Sequence, residues 1–394
     1  MNDPIPRRAV YHHTCSILRS WLHNRPLDDE TVAFCTEENL NDIYALVKRY
    51  DLAHLAALAL DKSDLPKNAV TKQFSATKMQ AIYRHALMDL EFEKICNILE
   101  QMKVPYVPLK GAVLRRYYPE PWMRTSCDID ILVPENQLEK ASSALVSHGW
   151  IIRGGKQYHD ISLYSPSGVH LELHFHVKMH SPNADPILES VWQHCTPTSE
   201  NRYVHCLSNA FLLFHHLAHM SCHIIEGGCG IRPFLDLWLM LRHLQYDHQE
   251  FQTLCANADL ERFYLTAAEL SRVWFDGQPH SPLTLQLESY ILTGGVYGSA
   301  SHRITLHHTQ VSNRWIGMLH HFFVPQRIII AYFPIAQNHR WMIPFLQVAR
   351  WFCLLSPKKI RSSLRKFRYI HQLSPEDLSN TEDFLAQLGL KFHL

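Results

Sequence analysis

The chain of 394 residues contains 38 lysine and arginine residues against 37 aspartate and glutamate residues, a formal net charge of +1. The balance excludes a uniformly basic or acidic protein, and the 46% hydrophobic content excludes a mainly disordered one. Ten scattered cysteines without a CxxC pair argue against a disulfide framework or zinc ribbon and predict reduced thiols in the cytoplasm. No apolar run reaches the roughly 18 residues of a membrane span, so we expect no membrane partner.

The first 103 residues predict an N-terminal helical segment. One candidate helix covers residues 38–60, which are rich in alanine and leucine. A second candidate has an apolar face made of Met79, Ile82, Ala86, Leu87 and Leu90. Neither helix carries a chemical motif, so we expect this segment to pack on the rest of the chain.

Residues 104–185 differ in pattern and predict a small mixed sheet with helices, which makes the fold class α+β. The predicted elements are a strand at 104–109, a helix from Gly111, a strand at 128–133, a helix from Leu138 to Gly149, and a hairpin of strands 158–164 and 169–177. Two prolines in the first strand indicate a sheet edge.

Residues 186–394 predict a C-terminal helical domain, with helices at 211–225 and 235–244. Its later part, residues 289–375, contains eleven lysine or arginine residues and no acid. The densest part consists of Lys358, Lys359, Arg361, Arg365, Lys366 and Arg368. A solvated helical surface is the favoured interpretation, and a groove for tRNA or another polyanion is the alternative.

Three acids on two strands form the sharpest chemical signal. Asp128 and Asp130 are two residues apart in a strand, so their side chains share one face and repel each other. In the later strand, Glu172 and His174 alternate with apolar residues and also share a face. If the two strands are neighbours, Glu172 completes a three-carboxylate cluster of the kind that binds Mg²⁺.

The residues before the Asp pair fit phosphate binding. Lys110 and Gly111 lie where a strand passes into a helix, and Gly111 allows close approach of the backbone. Arg124 and Ser126 precede the acids in a loop, where the guanidinium could contact two phosphate oxygens. We predict that these four residues bind a nucleotide.

At these positions the sequence resembles the nucleotidyltransferase superfamily with a pol-β-like core, and most closely a group of uncharacterised bacterial nucleotidyltransferases. The resemblance is carried by Leu109-Lys110-Gly111, Tyr118-Pro119, Arg124, Asp128-Ile129-Asp130-Ile131-Leu132-Val133, Gly149-Trp150 and Glu172-Leu173-His174. That group also has a helical segment matched here by His215, His216, His219, Arg232 and Asp236. Two departures are Lys110-Gly111 in place of the usual Gly-Gly or Gly-Ser, and a glutamate as third acid.

The resemblance implies transfer of a nucleoside monophosphate from an NTP, such as ATP, to an acceptor with release of pyrophosphate. Asp128, Asp130 and Glu172 would be the catalytic and metal-binding residues, with two Mg²⁺ ions. Lys110, Gly111, Arg124 and Ser126 would bind the nucleotide, and His174 is a candidate substrate contact. The acceptor is a small molecule, peptide or protein in this interpretation.

Three other functions remain open from the sequence. A toxin-like nucleotidyltransferase acting on tRNA would use the basic segment, since the Lys-Gly pair also resembles such enzymes. A metal-dependent glycosyltransferase also uses a DxD pair, and a degenerate core could serve as a nucleotide-binding module. His215, His219 and His223 share a helix face, for which packing or acceptor contacts are favoured over a metal site.

Overall fold

The computed structural model describes residues 8–156, 159–179, 181–199, 202–294, 324, 326, 329, 333–337, 339–354 and 375–390. Within these residues the fold is α+β, as predicted: a five-stranded mixed sheet with helices before and after it in the chain. The basic residues 358–368 of the sequence prediction lie outside the described residues. No helix of the described residues combines the length and apolar character that crossing a membrane requires.

Five helices precede the sheet. They are α1 (Arg8–Leu22), α2 (Asp29–Phe34), α3 (Glu37–Arg49), α4 (Ala53–Leu60) and α5 (Ala69–Gln101). The single helix predicted over 38–60 is thus two helices, because the chain turns at Asp51, whose φ of 57° no helix accommodates. Helix α5 begins with a reciprocal capping box, in which the side chains of Asn68 and Thr71 each accept a backbone N–H.

The apolar face that the sequence predicted for α5 is not the face that is buried, so this prediction is wrong. Met79 is 60% exposed and Leu90 is 50% exposed, whereas the buried face contains Phe74, Met88 and Ile95. This helix of 33 residues carries apolar side chains on two faces, so periodicity alone did not separate the core face from the surface. The buried face is divided along its length, because Phe74 packs in one apolar cluster and Met88 in another.

The sheet has the strand order β1-β2-β5-β4-β3. Its strands are β1 (Val107–Pro108), β2 (Asp128–Leu132), β3 (Ile151–Lys156), β4 (Asp160–Tyr164) and β5 (His170–His174). Strands β2 and β5 are parallel, and the other three pairs are antiparallel. The edge position of β1 is confirmed, and the predicted hairpin is β4–β5, but β3 was missed because its Arg-Gly-Gly stretch resembles a loop.

Two helices belong to the sheet region: the short α6 (Lys110–Leu114) and α7 (Leu138–Ser147). As predicted, α7 is followed by Gly149, whose φ of 91° suits glycine. One apolar cluster joins the sheet to α7 and to the second half of α5. The sheet contributes Ile129, Ile131, Leu171 and Leu173 to it, each at most 2% exposed. Packing of these residues leaves the alternate positions of β2 and β5 for polar side chains.

The rest of the described chain is mainly helical, as predicted. A two-stranded ribbon, β6 (Cys195–Pro197) with β7 (His205–Leu207), interrupts it and was not predicted. The helices are α8 (Asp185–Glu189), α9 (Asn209–Ile225), α10 (Arg232–His243), α11 (His248–Asn257), α12 (Glu261–Asp276), α13 (Pro282–Gly294), α14 (Ile343–Leu354) and α15 (Pro375–Gln387). The domain boundaries after residues 103 and 185 stay predictions.

Candidate active site

The parallel pairing of β2 with β5 brings the predicted acids together. In the register of this pair, Asp128 lies opposite His170 and Asp130 lies opposite Glu172. Side chains at paired positions of adjacent strands point to the same face, so the three carboxylates converge. The predicted condition, that the strand of Glu172 is the neighbour of the Asp strand, is confirmed.

Asp130 is the buried centre of the site and is 3% exposed. Its Oδ1 atom accepts hydrogen bonds from Lys110 Nζ at 2.9 Å and from His174 Nε2 at 3.0 Å. Burial opposes ionisation of this carboxyl, but the charge of Lys110 and the hydrogen bond from His174 outweigh it and hold the pKa of Asp130 well below its usual range. Asp130 is therefore a permanent negative charge at the centre of the site.

The two other acids repel each other and Asp130. Burial, together with the charges of Asp130 and Glu172, raises the pKa of Asp128. The pKa of Glu172 is lowered, chiefly by the hydrogen bond from His174, whose Nε2 lies 3.4 Å from Oε2. A divalent cation between the carboxylates would remove the repulsion that disfavours the charged form of Asp128.

Two groups of side chains have the composition of a metal site. They are Asp128 with His170 and Glu172, and Asp130 with Glu172 and His174. In each group, the ligand atoms lie within 4.8 Å of one another, and Glu172 belongs to both. Carboxylate and imidazole are both ligands of divalent cations, so either group of side chains fits a divalent cation.

Lys110 reaches Asp130 from an unusual backbone conformation. Its φ is 40°, in the left-handed region where a side chain is disfavoured, and the helix α6 begins at this residue. The backbone N–H of Leu109 donates to the carbonyl of Asp130 at 3.0 Å, which holds the chain beside β2. The residue with the strained backbone is thus Lys110, whose ammonium group pairs with Asp130. This indicates that the surrounding structure enforces the conformation.

Gly111 serves close packing in this structure. A Cβ atom at this position would lie 2.9 Å from Arg124 Nη1 and 3.1 Å from the Cβ of Ser126. Ser126 is buried, and its hydroxyl lies 3.7 Å from the sulfur of Met88. Both residues therefore pack the start of α6 against the loop before β2, and their predicted nucleotide contacts stay predictions.

Arg124 lies in a buried ion pair, which does not favour its predicted contact with phosphate. Its Nε and Nη2 atoms each donate to Asp236 at 3.0 Å, and the hydroxyl of Tyr118 donates to the same carboxylate at 2.7 Å. Asp236 is 2% exposed, and Arg124 is 8% exposed. The interaction joins the loop before β2 to α10, and a single acid in the apolar sequence PFLDLWLM was the signal for it.

The histidine face of α9 lies near Lys110. The charge of Lys110 lowers the pKa values of His215, His219 and His223, although burial is the larger cause in each case. Burial lowers the pKa of His215 to about 3, and its Nε2 has no hydrogen-bond partner among the residues that the structure describes. The Nε2 atoms of His219 and His223 are 3.2 Å apart. Because burial and the charge of Lys110 lower their pKa values, these imidazoles are neutral at pH 7.

A family model described as an uncharacterised nucleotidyltransferase matches residues 36–276. The chain belongs to this nucleotidyltransferase family. The match runs from the helices before the sheet to α12 and includes every candidate site residue. As a member of the family, the protein is a transferase enzyme that catalyses nucleotidyl transfer.

A solved structure similar to this chain is that of the antibiotic-resistance factor ANT(2'')-Ia. It has 12% sequence identity and a TM-score of 0.33, and the match covers 44% of this chain and 91% of that protein. The comparison with curated proteins finds no match.

Proposed function

We propose that this nucleotidyltransferase transfers a nucleoside monophosphate from an NTP, such as ATP, to an acceptor hydroxyl or phosphate in a divalent-metal-dependent reaction. The observation that carries the proposal is the convergence of Asp128, Asp130 and Glu172 on two adjacent parallel strands, beside Lys110. Three carboxylates held together by the sheet are costly for the fold alone, and they match the needs of metal-assisted phosphoryl chemistry.

Each residue has a role in the proposed reaction. The acceptor oxygen forms a bond to the α-phosphorus of the NTP, while the bond from that phosphorus to pyrophosphate breaks. Bound Mg²⁺, two ions in the proposal, would neutralise phosphate charge and would be held by Asp128, Asp130 and Glu172. Glu172 is also the candidate acceptor of the proton from the attacking hydroxyl, because 27% of its side chain is exposed, whereas Asp130 is only 3% exposed.

The contacts with the nucleotide follow from position and charge. Lys110 lies at the centre of the site, and its ammonium supplies positive charge for the triphosphate. His174 contacts both Asp130 and Glu172, so we propose that it orients these two acids beside the substrate. The acceptor is a small molecule, peptide or protein in this proposal, and a cytoplasmic location stays a prediction.

The test is a label-transfer assay with purified full-length protein. The protein is incubated with Mg²⁺ and each α-³²P-labelled NTP, with and without cell lysate. Asp128→Asn and Asp130→Asn are the test variants, and Asp64→Asn is the matched control at an exposed loop position. We expect label on an acceptor with wild type and with the control, and background with both test variants. Full transfer by both test variants would refute the proposed role of the acids.

The same assay separates the alternative functions. Label on added total tRNA, weakened by moderate salt, would identify the toxin-like function that the basic residues 289–375 of the sequence favour. NTP binding without transfer to any fraction would identify a catalytically degenerate nucleotide-binding module. Binding of a UDP-sugar in preference to every NTP would point to a glycosyltransferase and against the present proposal.

A further inference from the structure

We propose that Asp128, His170 and Glu172 form a metal site whose imidazole ligand selects Mn²⁺ over Mg²⁺. The inference rests on the proposed function and concerns the identity of the ion at one of its two metal positions. Its basis is a donor set of two carboxylates and one imidazole, with ligand atoms that lie within 4.8 Å of one another.

The ring of His170 is held in place by side chains that do not belong to the site. Its Nε2 is 3.2 Å from the hydroxyl of Ser162, and the ring stacks on Tyr164 with a centroid distance of 4.7 Å and an interplanar angle of 16°. Histidine ligands of metals are typically oriented by a partner on the ring nitrogen that does not bind the ion, so in the proposed site Nδ1 of His170 would be the ligand atom. The contact with Ser162 therefore gives the ring a fixed plane before an ion arrives.

The group around His170 differs from the group around Asp130. Lys110 forms an ion pair with Asp130, so that carboxylate already has a cationic partner, whereas His174 contacts both Asp130 and Glu172. Among the described residues, no lysine or arginine forms an ion pair with Asp128 or Glu172. All three members of the first group are half-buried, which leaves a path from solvent. An added cation is therefore needed more by the Asp128 group than by the Asp130 group.

The donor set determines which ion binds. Mg²⁺ is bound by oxygen ligands and keeps several waters, whereas imidazole is a ligand of first-row transition metals. Mn²⁺ accepts carboxylate oxygens as Mg²⁺ does and also accepts an imidazole nitrogen. A site with one histidine and two acids therefore gains affinity for Mn²⁺ from a ligand that adds little for Mg²⁺.

The test measures metal binding without nucleotide. Full-length protein is titrated with Mn²⁺, and the loss of the electron paramagnetic resonance signal of free Mn²⁺ gives the dissociation constant. Competition of Mg²⁺ with bound Mn²⁺ gives the dissociation constant of Mg²⁺. We expect wild type to bind Mn²⁺ at least ~10-fold more tightly than Mg²⁺. His170→Gln should weaken Mn²⁺ binding by about 10- to 100-fold and change Mg²⁺ binding by less than about threefold.

The matched control is His176→Gln. His176 lies on the same alternating face as His170, but its contact is with Glu135 at 3.4 Å, outside both groups. We expect this variant to bind both ions as wild type does. If His170→Gln does not fold by circular dichroism, Ser162→Ala replaces it, because freeing the ring should selectively weaken Mn²⁺ binding as well.

Two results would overturn the inference: unchanged Mn²⁺ affinity in a folded His170→Gln variant, or equal weakening of Mn²⁺ and Mg²⁺. The outcome is separate from the proposed function, because no nucleotide is present. Selective Mn²⁺ binding without label transfer by wild type would refute the transferase proposal and keep the metal site. Label transfer by wild type together with equal affinity for Mn²⁺ and Mg²⁺ would refute the selective metal site and keep the transferase proposal.

Discussion

The buried ion pair between Arg124 and Asp236 leads to a sharp prediction about stability. Asp236→Ala removes the carboxylate that accepts two hydrogen bonds from the guanidinium and one from Tyr118. Arg124 is 8% exposed, so the guanidinium would remain buried without its counter-charge. Breaking one partner of a buried pair costs about 3–5 kcal/mol of folding free energy.

The loss is large compared with the total stability of a domain, which is about 5–15 kcal/mol. We expect the thermal midpoint of Asp236→Ala to fall by about 4–6 °C, measured by differential scanning fluorimetry, because a chain of 394 residues has an unfolding entropy of about 0.8 kcal/mol/K. The control is Asp61→Ala, which removes an exposed pair with Lys78 and should cost at most about 1 kcal/mol. Arg124→Met combined with Asp236→Leu should be more stable than Asp236→Ala, because no unpaired charge remains.

A shift for Asp236→Ala no larger than that of Asp61→Ala would refute this reasoning. It would mean that water or another side chain replaces the lost carboxylate. A double variant less stable than Asp236→Ala would contradict the electrostatic part of the argument. In that case, the shape of the pair, rather than its charge, would hold the loop to α10.

Two further predictions concern stability. Gly111→Ala should cost about 1–3 kcal/mol by overpacking, because its Cβ would lie 3.1 Å from the Cβ of Ser126; an unchanged thermal midpoint would contradict this. Stability should also fall with pH below the unfolded pKa of His215, about 6.5, because burial lowers its folded pKa to about 3 and only the unfolded state binds the proton in that window. Thermal midpoints at pH 7.5 and 5 measure the loss, which His215→Gln should reduce; equal pH slopes for the two proteins would refute the assignment.

The side chains that share a face on each strand could be predicted because this depends on local patterns. Alternation of polar and apolar residues in Asp128–Leu132 and His170–His174 fixes which side chains share a face. The pairing of the two strands does not follow from either pattern alone, since it depends on packing between segments about forty residues apart. Sequence reasoning could therefore state the three-acid cluster only on the condition that the strands are neighbours.

The partners of the basic residues could not be predicted. Arg124 stands in the sequence as a cation next to two acids, which is also the pattern of a phosphate-binding arginine. Its actual partner, Asp236, is 112 residues away along the chain. Long-range ion pairs leave no local period in the sequence, and only the packing of α10 against the loop determines the pairing.

The helix α5 shows the same limit for packing. Its apolar residues include Met79 and Tyr83, which are 60% and 73% exposed, and Phe74 and Ile95, which are buried. Helical periodicity predicted that α5 is a helix, but the choice of the buried face depends on the sheet and helices that surround it. The existence of this helix could thus be predicted better than which of its faces is buried.

The position of β5 in the sheet links folding to the creation of the site. This strand is the last of the five to be synthesised, yet it lies between β2 and β4. Before residues 170–174 exist, β1–β2 and β3–β4 can form only as two separate strand pairs. Insertion of β5 joins them and, in the same step, sets Glu172 beside Asp130. A nascent or truncated chain that contains both aspartates but not residues 170–174 therefore lacks His170 and Glu172 of the proposed metal site, and ion affinity would report whether the sheet is complete.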